Sequence, residues 1–318
     1  MQARAVDAVM AARRAESFTK RSIKGASKQQ ALRLAMSMLD LTTLEGKDTP
    51  EKVRGLCSKA IHPVDVPAGR PLLDPPVPHV AAVCVYPTMV PVAKEALAGS
   101  GVNVAAVATG FPSAQYPLDV RLRDCADAIA AGADEIDMVI SRGLFLAGRF
   151  DEVAREIRET RALCAAPPKG VPAHLKIILE TGELETLDNV RRASDLAIEA
   201  SCEVPGTPAP KDGEVFIKTS TGKVQPAATM PVTLVMLEAI RDHWMRTGLR
   251  IGMKPAGGIR TSKQAIAYLV MVKETLGEAW LTPHLFRFGA SALANDIARQ
   301  LLRLQGGGYV AGYDVSEA

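Results

Sequence analysis

Two lysines stand where apolar strands are expected to end. Lys218 closes the run Val215-Phe216-Ile217-Lys218 and leads into Thr219-Ser220-Thr221-Gly222-Lys223, a loop of small hydroxyl residues. Lys254 follows Ile251-Gly252-Met253 and precedes Pro255-Ala256-Gly257-Gly258-Ile259-Arg260. A lysine in such a place meets little water, which disfavours its ammonium form and yields the neutral amine that Schiff-base chemistry requires. Taken singly, Lys218 reads more readily as a lysine that snorkels its head to the rim of the fold. The pair changes that balance. Parallel neighbouring strands lie about 4.8 Å apart, so two lysine heads at one level repel and lower the pKa of one of them.

Proton transfer needs an acid or base beside the lysines. In Asp134-Glu135-Ile136-Asp137-Met138-Val139-Ile140, alternation puts Glu135, Asp137 and Val139 on one face and the apolar trio on the other. The trio should pack on helices, which turns Asp137 inward, where a carboxylate is costly unless a cation pairs with it. Lys218 or Lys254 is the expected partner, in a catalytic or a purely structural ion pair. Asp40, in Leu39-Asp40-Leu41-Thr42-Thr43, and Glu180, closing Lys176-Ile177-Ile178-Leu179-Glu180, are further acids for which a structural role is at least as natural. Cys84 either lines the pocket or is a small buried hydrophobe. Three glycine-bearing loops follow successive strands: Gly222-Lys223, Gly257-Gly258-Ile259-Arg260, and Gly289-Ala290-Ser291 opening a helix. Each alone is a turn; together their amides, the helix dipole and the cations suggest a phosphate pocket.

These residues need elements to hold them. Short apolar runs at 36–41, 80–86, 102–108, 134–140, 174–180, 214–219, 250–255 and 285–288 read as strands. Between them, amphipathic segments near 50–60, 88–98, 117–131, 150–164, 186–202, 230–247, 261–277 and 291–304 read as helices. Eight strand–helix units predict an α/β fold, a closed (β/α)8 barrel with chemistry at the carboxyl ends of its strands. A doubly wound open sheet is the alternative, but no Gly-x-Gly-x-x-Gly follows the first strand. The organisation expected is an amino-terminal helical extension over 1–30, the barrel over 31–305 and a mobile tail over 306–318. Two proline-rich connections, 61–78 and 204–213, interrupt the rhythm. Tyr309 and Tyr313 in the tail are candidates for a lid.

Composition bounds the rest. With 47% hydrophobic and 23% charged residues, the 318-residue chain has ample material for a core. A net charge of +3 gives no argument for nucleic acid. No apolar run approaches the roughly 20 residues that span a bilayer. Five scattered cysteines (Cys57, Cys84, Cys125, Cys164 and Cys202) without a Cys-x-x-Cys suit reduced thiols in a cytoplasmic protein. The five histidines form no pair at ligand spacing, so a zinc site is not expected. The basic amino-terminal segment lacks the apolar stretch of a secretory signal, and a helical extension is a better reading of it than a transit peptide.

At this point the motifs carry a resemblance. The chain resembles the deoxyribose-phosphate aldolases, class I aldolases on a TIM barrel, over about residues 35–304. The resemblance rests on LDLTTL (39–44), VCVYP (83–87), EIDMVI (135–140), LKIILETGEL (175–184), FIKTSTGK (216–223), KPAGGIR (254–260) and RFGAS (287–291). It implies that Lys218 forms the Schiff base and that Lys254 and Asp137 serve a proton relay. It also implies that Gly222, Lys223, Gly257, Gly258, Arg260, Gly289 and Ser291 surround the 5-phosphate of a small phosphosugar substrate, 2-deoxy-D-ribose 5-phosphate, without metal or organic cofactor. Ala292 stands where many relatives carry a second serine. Another Schiff-base aldolase, a transaldolase, or a phosphosugar-binding regulator without turnover are the competing readings. A mere binder, however, gains nothing from a buried pair of repelling cations. No nucleic-acid or membrane partner is expected, and whether the chain forms a homo-oligomer is open.

Overall fold

The computed structural model describes residues 5–64 and 73–306. Seven parallel strands form one sheet in chain order: β1 (Asp40–Thr42), β2 (Ala82–Val85), β3 (Asn103–Ala108), β4 (Glu135–Val139), β5 (His174–Ile178), β6 (Val215–Lys218) and β7 (Gly252–Lys254). The eighth position belongs to residues 285–289, which bridge to both edges instead of forming a regular strand. Phe286 pairs with Met253, Gly289 with Ala256, and Phe288 with Leu39. The Arg287 amide donates to Met253 O at 3.0 Å on one side, and the Asp40 amide to Phe288 O at 2.9 Å on the other. The α/β barrel is thereby closed.

Helices α1 (Ala8–Thr19) and α2 (Gly25–Ser37) precede the first strand. The rest alternate with the strands: α3 (Pro50–Ile61), α4 (Val90–Ala96), α5 (Leu118–Ala130), α6 (Arg142–Leu146), α7 (Phe150–Ala165), α8 (Leu187–Cys202), α9 (Met230–Thr247), α10 (Ser262–Leu276) and α11 (Ser291–Gly306). Four of them, α3, α8, α9 and α10, begin behind a threonine whose side chain accepts an amide of the first turn, which satisfies a donor the helix leaves open. Alternation works as expected along the strands. Ile136 and Met138 join the apolar layer beneath the helices, while Val139 and Ile178 pack in a separate inner cluster.

Three expectations need correction. The run 36–41 is strand only from Asp40, because Leu32, Ala35 and Met36 share the buried face of α2. That helix runs through residue 31, across the expected start of the barrel, and α6 was not foreseen. The segment 88–98 splits into a 3-10 turn at Pro87–Met89 and α4, as two prolines near its start dictate. The tail beyond Gly306, with Tyr309 and Tyr313, and residues 65–72 of the proline-rich connection lie outside the described residues.

Candidate active site

Register decides which side chains meet. Lys218 pairs across the ladder with Lys254 and with Ile178, and Asp137 pairs with Lys176. All four titratable groups point into the barrel, where they converge on one carboxylate. Asp137 Oδ2 lies 2.7 Å from Lys218 Nζ and 2.9 Å from Lys254 Nζ, and Asp137 Oδ1 lies 2.8 Å from Lys176 Nζ. Lys254 Nζ also reaches Asp40 Oδ2 at 2.6 Å. Below this layer Arg287 ties Asp40 at 2.8 Å to Glu135 at 2.9 Å, and Lys176 pairs with Glu135 as well. Asn103 donates to Glu135 Oε1 at 2.7 Å.

The network contains four basic side chains (Lys176, Lys218, Lys254 and Arg287) and three acids (Asp40, Glu135 and Asp137), all buried. A dry cavity tolerates an uncompensated charge poorly. The balanced state therefore has one base without its proton. Of the four, Lys218 is the one whose pKa is lowered. Burial lowers its pKa, the repulsion of Lys254 lowers it further, and together these outweigh the pull of Asp137. Burial acts on Lys254 too, but Asp137 and Asp40 overcome it and raise its pKa, so it stays an ammonium. Lys176 is likewise raised, by Asp137 and Glu135 against its burial. Burial would raise Asp137, yet the three lysines hold it well below the ordinary carboxylate range. Of the three lysines, Lys218 alone keeps a trace of exposure, 3% against 0% for the other two.

Cys84 lies under this layer with Sγ 4.0 Å from Asp137 Oδ2, and burial, then that carboxylate, push its thiol up to about 11. It is a neutral buried thiol at pH 7, packed with Leu44, Ala105 and Val107. Glu180 does not join the network. Its backbone takes the left-handed conformation (φ 53°), and its carboxylate accepts the Thr221 amide at 3.2 Å and the Thr221 hydroxyl. Burial raises its pKa.

The residues expected around a phosphate divide into two groups. Gly222 and Lys223 line a cavity of about 290 Å³ with Thr42, Thr43, Glu45 and Thr221. There Lys223 Nζ pairs with Glu45 at 2.7 Å. Gly257 and Gly258 both have positive φ (77° and 82°), and Arg260 is exposed. The Gly257 amide, however, donates to Gly289 O at 3.0 Å and the Gly289 amide to Pro255 O at 2.9 Å. Ser291 Oγ accepts the Thr42 amide at 2.8 Å and donates to Thr42 O at 3.1 Å. In this state those groups hold the barrel closed. Lys176, Glu135 and Arg287 received no role from the sequence. Their signal was available: Lys176 is a charge in mid-strand, and Glu135 shares the inward face of Asp137, so each required an inward partner. No cluster of His, Cys, Asp and Glu able to hold a metal occurs among the described residues.

The model of the DeoC/LacD family aldolases matches residues 34–297. This chain belongs to that family. The aldolase is 45% identical over 307 residues to deoxyribose-phosphate aldolase of Mus musculus, covering 95% of this chain and 91% of that one. It is also 45% identical over 308 residues to the Homo sapiens enzyme of the same name, with the same coverage. Among solved structures it resembles the tetrameric deoxyribose phosphate aldolase of Aeropyrum pernix, with a TM-score of 0.57 and 20% identity over 86% of this chain and 97% of that one. An aldolase called QR15 matches with a TM-score of 0.60 and 24% identity over 85% and 96%. Both share the barrel.

Proposed function

We propose that this aldolase cleaves 2-deoxy-D-ribose 5-phosphate reversibly to acetaldehyde and D-glyceraldehyde 3-phosphate through a Schiff base on Lys218, in the breakdown of deoxyribose phosphate. The substrate is suggested by the two mammalian relatives. The mechanism is supported by one observation: of the lysines on Asp137, Lys218 alone has a lowered pKa and a trace of exposure, while the pKa of Lys254 is raised. Reduced thiols at all five cysteines fit a cytoplasmic setting.

Neutral Lys218 attacks C1 of the open-chain sugar, and loss of water leaves an iminium. Asp137, kept ionised by its lysines, takes the 3-hydroxyl proton directly or through a water. The C2–C3 bond breaks, C3 becomes the carbonyl carbon of glyceraldehyde 3-phosphate, and the electron pair moves into an enamine over C2, C1 and Nζ. The Asp137–Lys254 pair returns a proton to C2, and water then releases acetaldehyde and the free amine. Acid–base assistance of this kind contributes about 10²–10⁴-fold. Gly222 and Lys223, with Gly257, Gly258, Arg260, Gly289 and Ser291, are our candidates to receive the phosphate, which requires Lys223 to leave Glu45. Ala292 supplies no hydroxyl there.

Acetaldehyde followed by borohydride should leave an ethyl group on the peptide that holds Lys218, read by mass spectrometry. Lys218→Ala should abolish turnover while phosphate still binds. An unlabelled Lys218 peptide defeats the mechanism, and turnover of fructose phosphates in preference to deoxyribose phosphate defeats the substrate.

A further inference from the structure

We propose that Lys176, fully buried on Asp137 Oδ1 and Glu135, is a positioning residue that keeps Lys218 uncharged by occupying one oxygen of Asp137 and balancing the buried acids. The inference rests on Lys218 as the Schiff-base lysine. Repulsion from Lys254 alone does not explain why Lys218 yields its proton, because Lys254 has carboxylates of its own: Asp40 at 2.6 Å and Asp137 at 2.9 Å. The remaining carboxylate capacity is consumed from below. Lys176 holds Asp137 Oδ1 and Glu135, and Arg287 spans Glu135 and Asp40. With Lys176, Lys254 and Arg287 charged, three cations meet three carboxylates, and a proton on Lys218 would be surplus. Without Lys176, the same three carboxylates face two cations and Lys218, and balance then requires Lys218 to be an ammonium.

Among the described residues, no other charge upsets this count. Asp40 comes from β1, Glu135 and Asp137 from β4, Lys254 from β7 and Arg287 from the closing segment. Cys84 of β2 is a neutral thiol, its pKa pushed up to about 11, and Asn103 of β3 carries no charge. His174, at the start of β5, has its pKa lowered by burial and is neutral near pH 7. Glu180, beyond the end of β5, bonds Thr221.

The test compares four proteins by the rate at which acetaldehyde and borohydride label Lys218, followed across pH, alongside the pH profile of kcat/KM. In Lys176→Met the labelling should rise at a pH higher by a unit or more, so that labelling at pH 7 falls at least about tenfold. Lys176→Met/Glu135→Gln, which restores the excess of one cation, should return the profile to within a few-fold of the parent. Glu135→Gln alone should move it the other way, to lower pH, and Lys176→Arg should leave its position unchanged. A merely structural lysine would lower the plateau without moving the profile. If Lys176→Met only scales the rate, or the double variant stays with the single one, the inference is overturned. Should Lys176→Met not fold, an unmoved profile in Glu135→Gln overturns it equally. Absence of any adduct at Lys218 in the parent protein removes the Schiff-base reading and this inference with it.

Discussion

Lys254 and Lys176 both contact Asp137, but they are not equivalent. Lys254 shares Oδ2 with Lys218, whereas Lys176 sits on Oδ1 and faces Glu135 beneath. Lys254 is thus within reach of any carbon attached to Lys218 Nζ, and its loss removes a charge and a proton route together. Lys254→Leu should lower kcat by about 10²–10⁴-fold, the range of acid–base assistance. The barrel should survive, because Lys176, Lys218 and Arg287 still match the three carboxylates. Circular dichroism and steady-state kinetics on one preparation check both halves, and a near-parental kcat would remove Lys254 from the mechanism. Apolar context alone cannot identify a nucleophilic lysine: the three lysines on Asp137 are all buried, and the count of their carboxylate partners separates them.

At the level of elements, the closing segment is tightly constrained backbone beside the site. A Cβ on Gly289 would stand 2.7 Å from the Ala256 Cβ and 3.3 Å from Lys254 Cε. Gly289→Ala must therefore push segment 285–289 away from β7. It should cost about 1–3 kcal/mol by overpacking and lower kcat by displacing Lys254. Gly248→Ala, at the carboxyl end of α9 with φ 79° and open space around it, should cost about 1–2 kcal/mol without touching kcat. Denaturant midpoints and kcat for the two variants separate packing at the site from backbone strain far from it. Much of this arrangement was legible in the sequence, since strand period turns Asp137, Lys218 and Lys254 to one side. The closing segment was less so: RFGAS contains only a few apolar residues, and its hydrogen bonds to two edges are a property of barrel closure. Likewise, the start of β1 was masked by a largely apolar run in which Met36 obeys the helix period, Met38 caps the helix and Leu39 already bridges to Phe288.

For the whole molecule, a charged cluster at the barrel centre makes stability depend on pH in a defined direction. Burial would raise the pKa of Glu135, but Arg287 and Lys176 lower it well below its ordinary value, and Asp137 is lowered by its three lysines against the same penalty. Carboxylates whose folded pKa is depressed stabilise the fold fully above their unfolded pKa of about 4. That contribution is lost as the pH falls below it, because the unfolded chain binds protons that the folded one refuses. The denaturant midpoint of this aldolase should accordingly drop steeply below about pH 4. Glu135→Gln removes one of the two depressed carboxylates of the buried cluster. It should be less stable at pH 7, since Arg287 and Lys176 lose a partner, yet its midpoint should fall more gently with acid. Unfolding curves from pH 7 down to 3 on both proteins measure that slope, and parallel slopes would show that the barrel interior does not govern the acid limb.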